Sequence, residues 1–281
     1  MLFFRRCDCV RKLKAIWLYG RSSAIILLLF CTLINSVIPK AFAGDVDVYL
    51  KIDDYTWSEY QNGIRLLRET GILVGPGFSY WKEFSNHITL RPLAELFTGS
   101  VDYDGITQEG TPVKTKVMYV GANIQCDAGR KFVIGERFSF EPFGGMGIRS
   151  WSRDLHGSTT SSGTFASGYT EEWTTVFTRF GVRGELHVSE EPRLFAEGGV
   201  KLPFYNESTV YFSDNPNFTV YPGLQASWFS EAGITSYHFR ASVFYDSFRF
   251  SQSRSVNTSI GSAYQPSSSA DLWGVKLGAS F

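Results

Sequence analysis

Two short stretches of the sequence place carboxylates and a histidine where they could activate a water molecule. Asp102 and Asp104 are separated by one residue, and Asp154 and His156 form a second pair with the same spacing. An aspartate can fix the orientation of an imidazole, and a pair of carboxylates can orient a nucleophilic water. Whether these four residues can cooperate depends on the elements that carry them.

The first 43 residues have the pattern of a secretory signal. Several basic residues precede an apolar run over residues 24–34, and Ala41-Phe42-Ala43 follows it. A basic segment, a short apolar core and an A-x-A site together are typical of a signal peptide. We therefore expect residues 1–43 to be a signal peptide and residues 44–281 to be the exported domain.

Beyond residue 43 the chain is acidic. Seven of the 27 basic and one of the 27 acidic residues lie in the leader, so the remainder carries a net charge of about −6. This charge argues against nucleic acid as a partner, because nucleic acid selects basic surfaces. Only Cys126 of the four cysteines remains, so no intramolecular disulfide can form there. We expect no cofactor and no metal site.

The end of the chain shows strict alternation. Trp273, Val275, Leu277 and Phe281 are apolar and are separated by small or charged residues. A strand with lipid on one face has this pattern. An alternating strand with an aromatic final residue resembles the assembly signal of bacterial outer-membrane β-barrels. The resemblance marks these four residues as that signal, and it implies the barrel assembly machinery and periplasmic chaperones as partners.

The same alternation recurs in ten segments between turn signals. They are residues 46–57, 71–82, 87–104, 112–128, 136–154, 169–189, 192–206, 218–231, 236–252 and 269–281. Short connections predict periplasmic turns and longer polar ones predict extracellular loops. We therefore predict an all-β fold, a transmembrane up-and-down antiparallel β-barrel of about ten strands. Eight strands are the alternative, if the first two segments form a periplasmic extension.

The parity that puts apolar residues on lipid puts charged side chains inside. Their signs nearly balance, and buried charges must pair because an unpaired one is costly. We expect a narrow lumen filled with charges, and the alternative is a narrow solute channel. A wide porin would need about 16 strands. The predicted lumen charges are Lys51, Arg91, Glu95, Glu141, Arg149, Arg179, Arg183, Glu185, Glu197, Lys201, Arg240, Asp246 and Lys276.

The Asp102/Asp104 pair and the Asp154/His156 pair at the predicted outer strand ends resemble the catalytic residues of the omptin surface proteases, which are also ten-stranded barrels. The resemblance implies that His156 and an aspartate activate a water and that Asp102 and Asp104 complete the site. It covers two three-residue segments only. The alternative is aspartates in turns at loop edges beside a solvated histidine. We expect no enzyme, with a surface protease as the minor alternative.

Aromatic residues cluster near the predicted outer strand ends, among them Tyr103, Trp151 and Trp173. We expect most of them to form a girdle at the membrane interface. In its pattern, the segment 44–281 resembles the small outer-membrane β-barrel proteins of Gram-negative cell envelopes. The resemblance implies a monomer surrounded by outer-membrane lipid and lipopolysaccharide. We expect a structural or binding role through the extracellular loops, with narrow transport as the alternative.

Overall fold

The computed structural model describes residues 45–107, 110–188, 191–212, 216–258 and 261–281. The expected signal peptide, residues 1–43, lies outside the described residues. Ten long antiparallel strands dominate the described chain. They are β1 (Asp45–Gln61), β2 (Ile64–Glu83), β3 (Ile88–Ile106), β4 (Pro112–Arg130), β5 (Phe138–Leu155), β6 (Tyr169–His187), β7 (Arg193–Tyr211), β8 (Ser227–Ser236), β9 (Phe239–Ser251) and β10 (Ser267–Ser280). Strands of two or three residues lie at 132–134, 158–159, 165–166, 218–220, 223–225, 256–258 and 261–263.

The ten strands close into a barrel. Each pairs with its neighbours along the chain, and β1 pairs with β10 from Asp47 opposite Ser280 to Tyr60 opposite Ser267. Below this ladder, the backbone N–H of Phe281 donates to Val46 O at 2.8 Å, and Val46 N donates to Phe281 O at 2.9 Å. The prediction of ten strands is confirmed. The eight-strand alternative is wrong, because β1 and β2 are part of the barrel wall.

The hairpin of β1 and β2 reaches further than the alternation indicated. Its strands are joined by Asn62 and Gly63 alone, with φ angles of 50° and 79°. Two consecutive positive φ angles are the geometry of a type I′ turn, and Asn-Gly is its preferred sequence. On the opposite end, the turn between β8 and β9 is residues 237–238. Residues 232–235, which connect the predicted segments 218–231 and 236–252, lie inside β8.

The outer wall has an apolar belt and a polar upper part, where "upper" denotes the end with the long loops. Leu50, Val120 and Phe180 are exposed in the belt, and Asp102 and Lys116 are exposed above it. A barrel strand crosses a membrane with about 9–11 residues, whereas β1 to β7 have 17 to 20. These strands therefore continue beyond the membrane on the loop side. No helix of the described residues is long and apolar enough to cross a membrane.

Two layers of inward-facing side chains fill the interior. The lower one, called here the ion-pair layer, comprises Lys51, Arg91, Glu95, Asp127, Glu141, Arg179, Arg183, Glu197, Glu231 and Lys276, all of them buried. The upper one, called here the aromatic layer, comprises Tyr55, Trp57, Phe97, Tyr119, Trp151, Trp173, Phe177, Phe248 and Phe250.

Candidate functional site: the barrel interior and its rim

Glu197 of β7 is the centre of one half of the ion-pair layer. Its carboxylate lies 2.9 Å from Arg91 Nη1, 2.9 Å from Arg183 Nη2 and 3.4 Å from Arg179 Nη2. Three guanidinium groups, one from β3 and two from β6, thus share one buried carboxylate. Asp127 lies 3.3 Å from Arg179, and Glu141 lies 2.8 Å from Arg183, so each of these arginines has a second acidic partner.

Glu95 of β3 is the centre of the other half. It lies 3.1 Å from Lys51 Nζ and 3.3 Å from Lys276 Nζ, and Tyr49 and Asn123 donate hydrogen bonds to it. Lys276 also contacts Glu231 at 2.8 Å, so this lysine has two acidic partners. These ion pairs fill the lower part of the lumen with charges held in mutual contact.

The structure places the predicted lumen charges in the barrel interior. Ten are buried, and Glu185, Arg240 and Asp246 are partly exposed. Glu185 lies 3.5 Å from Lys131 and Arg240 lies 3.2 Å from Asp47, both at the lower mouth, whereas Asp246 pairs with Lys201.

The cavities left among these charges are small. One in the middle of the ion-pair layer has about 40 Å³, and one at the lower mouth has about 70 Å³. A cavity needs a volume of roughly 10–15 Å³ to hold one water molecule. Each cavity therefore has room for a few waters, and neither has the size of a solute path.

Three tryptophans fill the upper interior. The ring centres of Trp57 and Trp173 are 5.2 Å apart, and those of Trp151 and Trp173 are 5.5 Å apart with planes tilted by only 9°. Phe250 lies within 6.4 Å of all three rings. Trp151, Trp173 and Tyr103 belong to the set of aromatic residues of which we expected most to lie in the membrane girdle, and these three are not part of it. Their parity matches that of the inward Arg149, Arg179 and Val101, so all three point into the barrel.

A second set of charges lies above the tryptophans, and sequence reasoning missed it. Arg153 Nε donates to Glu69 at 2.9 Å, and Arg153 Nη1 lies 2.9 Å from Glu171. The indole N–H groups of Trp57 and Trp173 donate to Glu59 and Glu171, at 2.9 and 2.8 Å. Alternation carried four residues beyond Arg149 would have placed Arg153 inside.

The four protease candidates lie on the outside of the barrel wall. Asp102 is 2.8 Å from Lys116, and Asp104 is 3.6 Å from Lys114. These two aspartates and two lysines are all exposed. Asp154 accepts a hydrogen bond from Thr170 at 2.8 Å and lies 3.9 Å from His156. The strand β4 lies between the Asp102/Asp104 pair and the Asp154/His156 pair, so the two pairs are about 10 Å apart. The structure therefore does not bring them into a common cleft.

No family model and no curated protein matches this sequence. Several solved structures are similar to it over most of its length. The outer membrane protease OmpT from Escherichia coli superposes with a TM-score of 0.55 at 11% identity, over 86% of this chain and 99% of that chain. The toluene transporter TodX of Pseudomonas putida gives 0.37 at 10% identity, with 85% and 90% covered. Ail, the attachment invasion locus protein of Yersinia pestis, gives 0.32 at 10% identity, with 85% and 100% covered.

This protein is a bacterial outer-membrane β-barrel. The closed ten-stranded wall and its apolar belt place it in the outer membrane, as the sequence predicted. At 11% identity the likeness to OmpT shows the fold alone.

The residues assigned to the assembly signal lie on the lipid face of this outer-membrane barrel. Trp273, Leu277 and Phe281 are exposed on the outer wall, and Val275 between them is half-buried. The Phe281 ring stacks on His238 of the turn between β8 and β9 at 6.1 Å. Cys126 is a free thiol, also exposed on the outer wall. In the described parts of the chain, no group of three or more His, Cys, Asp and Glu is arranged to hold a metal.

Proposed function

We propose that this outer-membrane barrel is a non-conducting surface scaffold that binds a partner through its extracellular loops and performs no catalysis. The observation that carries the proposal is that two successive layers of side chains fill the interior. The ion-pair layer fills the lower half, and the aromatic layer under Arg153 and its carboxylates fills the upper half. A barrel that conducts nothing and has no assembled catalytic group can still act through its exposed end.

The exposed end has features of a binding surface. The hairpin of residues 158–159 and 165–166 is held against β4, because Ser158 Oγ donates to Lys114 O at 2.9 Å and Thr115 Oγ1 donates to His156 O at 2.9 Å. The loops 156–168, 212–226 and 252–266 are rich in Ser and Thr and contain one Asp and one Arg between them. Hydroxyl and aromatic groups with so little charge suit a neutral, hydrogen-bonding partner such as a polysaccharide. The closed wall leaves no free edge strand, which favours a monomer embedded in outer-membrane lipid and lipopolysaccharide.

Planar-bilayer recording tests the closed lumen. We expect purified barrel, refolded and inserted into a lipid bilayer, to give no conductance steps under an applied voltage. Regular steps of one size would contradict the proposal and favour the narrow solute channel. A general porin measured in the same chamber is the control for insertion.

Loop replacement tests binding. We expect replacement of residues 159–165 by a short Gly-Ser turn to reduce retention of barrel-displaying cells on immobilised polysaccharides at least fivefold. The matched control replaces residues 132–134 on the periplasmic side, which should change nothing. Equal retention of both variants would refute the role of this loop.

The protease alternative has a separate test. If the barrel cleaves basic peptides, and both Asp154→Ala and His156→Ala abolish cleavage, the exposed pair is catalytic after all. We expect no cleavage by the unaltered barrel, because these groups face outward and are bound to Lys116, Lys114 and Thr170.

A further inference from the structure

The barrel wall has a break between β7 and β8. Their ladder runs from Arg193 opposite Thr235 up to Lys201 opposite Ser227, and it resumes only at Ser208 opposite Val220. Residues 202–207 therefore face residues 221–226 without ladder pairs. Among the ladders between the described strands, this is the longest interruption that has paired residues on both sides.

Two prolines and a bulge keep this break open. Pro203 and Pro222 have no N–H to donate, so neither can complete a ladder there. The register of β7 against β6 also shifts between Pro203 and Tyr205. The side chain of Asn206 replaces part of the missing ladder, since its amide lies 3.5 Å from Pro222 O and 3.4 Å from Gly223 O. On the side away from β7, residues 223–225 form regular strand pairs with β9.

The break lies at the height of the outer membrane interface. Its outer face carries the exposed side chains of Leu202, Phe204, Tyr205, Tyr221 and Leu224. Tyrosines mark the level at which headgroups meet hydrocarbon, and the rings of Tyr205 and Tyr221 meet across the break at 6.3 Å. Unpaired backbone would be costly deeper in the hydrocarbon and is tolerated at this level.

Behind the break lie cations. A cavity of about 10 Å³ directly inside it is lined by Lys201, Pro203, Gln225 and Ser227, and Lys201 also lines the central cavity of about 40 Å³. Lys201 Nζ lies 3.4 Å from the centre of the Phe248 ring, and Arg149 lies 5.2 Å from the same centre.

Arg149 is the unusual member of this pair. Its side chain is 3% exposed, and it makes no direct ion pair among the described residues, where Asp53 acts on it only at a longer distance and three aromatic rings lie within 5.8 Å of its guanidinium carbon. One of its terminal nitrogens, Nη1, has no hydrogen-bond partner in the described residues. A buried guanidinium without an anion is costly, so its position favours an anion supplied from outside the chain.

We propose that the break is a lateral portal that admits the anionic head of a single-chain amphiphile, an alkyl carboxylate, from the outer leaflet to Lys201 and Arg149. The alkyl chain stays outside, against the apolar side chains of β7 and residues 221–224. The cavity at the break has room for about one water and the central cavity for a few, so a carboxylate enters by displacing these waters, and the phosphorylated sugars of lipopolysaccharide are too large to follow. This site is independent of the loop binding proposed above.

Thiol labelling from the lipid phase tests the portal. Ser227→Cys, in a Cys126→Ser background, places a thiol in the cavity at the lower edge of the break. Ser242→Cys is the matched control, because Ser242 is also buried in the lumen but lies behind intact ladders to β8 and β10. We expect N-dodecylmaleimide in proteoliposomes to label Ser227→Cys at least tenfold faster than Ser242→Cys. The lipid-facing Cys126 of the unaltered barrel serves as the positive control.

Two results would overturn the portal. One is labelling of both cysteines at the same rate by the lipid-soluble reagent. The other is labelling of Ser227→Cys at least as fast by a membrane-impermeant sulfonated maleimide, which would mean that water reaches this thiol directly. Heat-modifiable migration on gels verifies that each variant is folded.

Ligand binding tests the assigned chemistry. We expect ¹³C-carboxyl dodecanoate to bind the barrel in nanodiscs, with a shifted carboxyl resonance, and dodecanol to bind at least tenfold more weakly. Removing both partners together in Lys201→Met/Asp246→Leu avoids leaving a lone charge, and we expect it to weaken dodecanoate at least tenfold. Arg149→Met is the second variant, with the same expectation. Dodecanoate binding that is absent, or unchanged in both variants, refutes the proposal.

Discussion

Glu197 shows how single residues close this barrel. Its carboxylate receives hydrogen bonds or ion pairs from Arg91, Arg179 and Arg183, and it is buried with all three. Removing one member of a buried charge cluster leaves its partners with too little opposite charge, which is strongly destabilising. The interior is therefore sensitive to the loss of its shared partners.

Glu197→Gln should lower the stability of the barrel by about 3–5 kcal/mol, because three guanidinium groups lose their common anion. Urea unfolding in liposomes, followed by tryptophan fluorescence, measures this. Glu172→Gln is the control, since Glu172 is exposed and accepts one hydrogen bond from Tyr211. It should change stability by less than about 0.5 kcal/mol. Equal losses of stability for the two variants would show that the buried cluster around Glu197 stabilises the barrel no more than an exposed carboxylate does.

Trp173 has the corresponding role in the aromatic layer. Trp173→Ala should cost about 3–5 kcal/mol, because it leaves a cavity between Trp57, Trp151 and Phe250. The same unfolding measurement applies, with Trp228→Ala as the comparison. Trp228 is 64% exposed on the lipid face, so its loss should cost clearly less. A larger cost at Trp228 would contradict the assignment of Trp173 to a packed interior.

At the scale of elements, alternation sufficed to find all ten strands, because lipid and lumen impose opposite polarity on successive side chains. It did not find the end of β1 or the start of β2. There the strands leave the membrane, both faces become mixed, and only the Asn62-Gly63 turn marks the hairpin.

The interruption of the wall before β8 also could not be predicted from alternation. Residues 218–231 look like one strand in the sequence, and the structure divides them into 218–220, 223–225 and the start of β8. Pro222 is visible in the sequence, but a proline is compatible with a strand edge or a bulge as well. Its effect depends on Asn206 and Pro203 of β7, which only the pairing register brings opposite it.

The lower end of β10 offers a test of assembly. Phe281→Ser should reduce the level of folded barrel in outer-membrane fractions severalfold. The substitution removes an exposed aromatic that stacks on His238, and the backbone bonds to Val46 lose that support. Immunoblotting of membrane fractions with and without heating measures the folded fraction. Tyr237→Ser, an exposed aromatic in the neighbouring turn, is the control, and an equal reduction would indicate a general loss of surface aromatics.

At the scale of the whole molecule, the two interior layers act in series. Trp151→Ala/Trp173→Ala should therefore stay non-conducting in planar bilayers, because the ion-pair layer still closes the lower half. Adding Arg179→Ala and Glu197→Ala to that variant should produce conductance steps. Steps in the tryptophan variant alone would mean that the ion-pair layer does not block the lumen.

The sequence predicted the charged lower layer and missed the aromatic upper one for one reason. Charged side chains on one face of a strand indicate that this face points into the barrel, because charges would be unstable in lipid. Tryptophan is compatible with lipid, interface and core alike, so Trp57, Trp151 and Trp173 could be placed only by parity or by the fold.

Because β1 and β2 are joined by a two-residue turn, the connections around the exposed end are unequal in length. The other four connections on that end run through residues 107–111, 156–168, 212–226 and 252–266. At the flank of β1 and β2, the exposed surface therefore consists of strand ends and two turn residues, whereas the rest of that end is built from loops. Antibodies raised against the intact cell should mainly recognise the loop-bearing part.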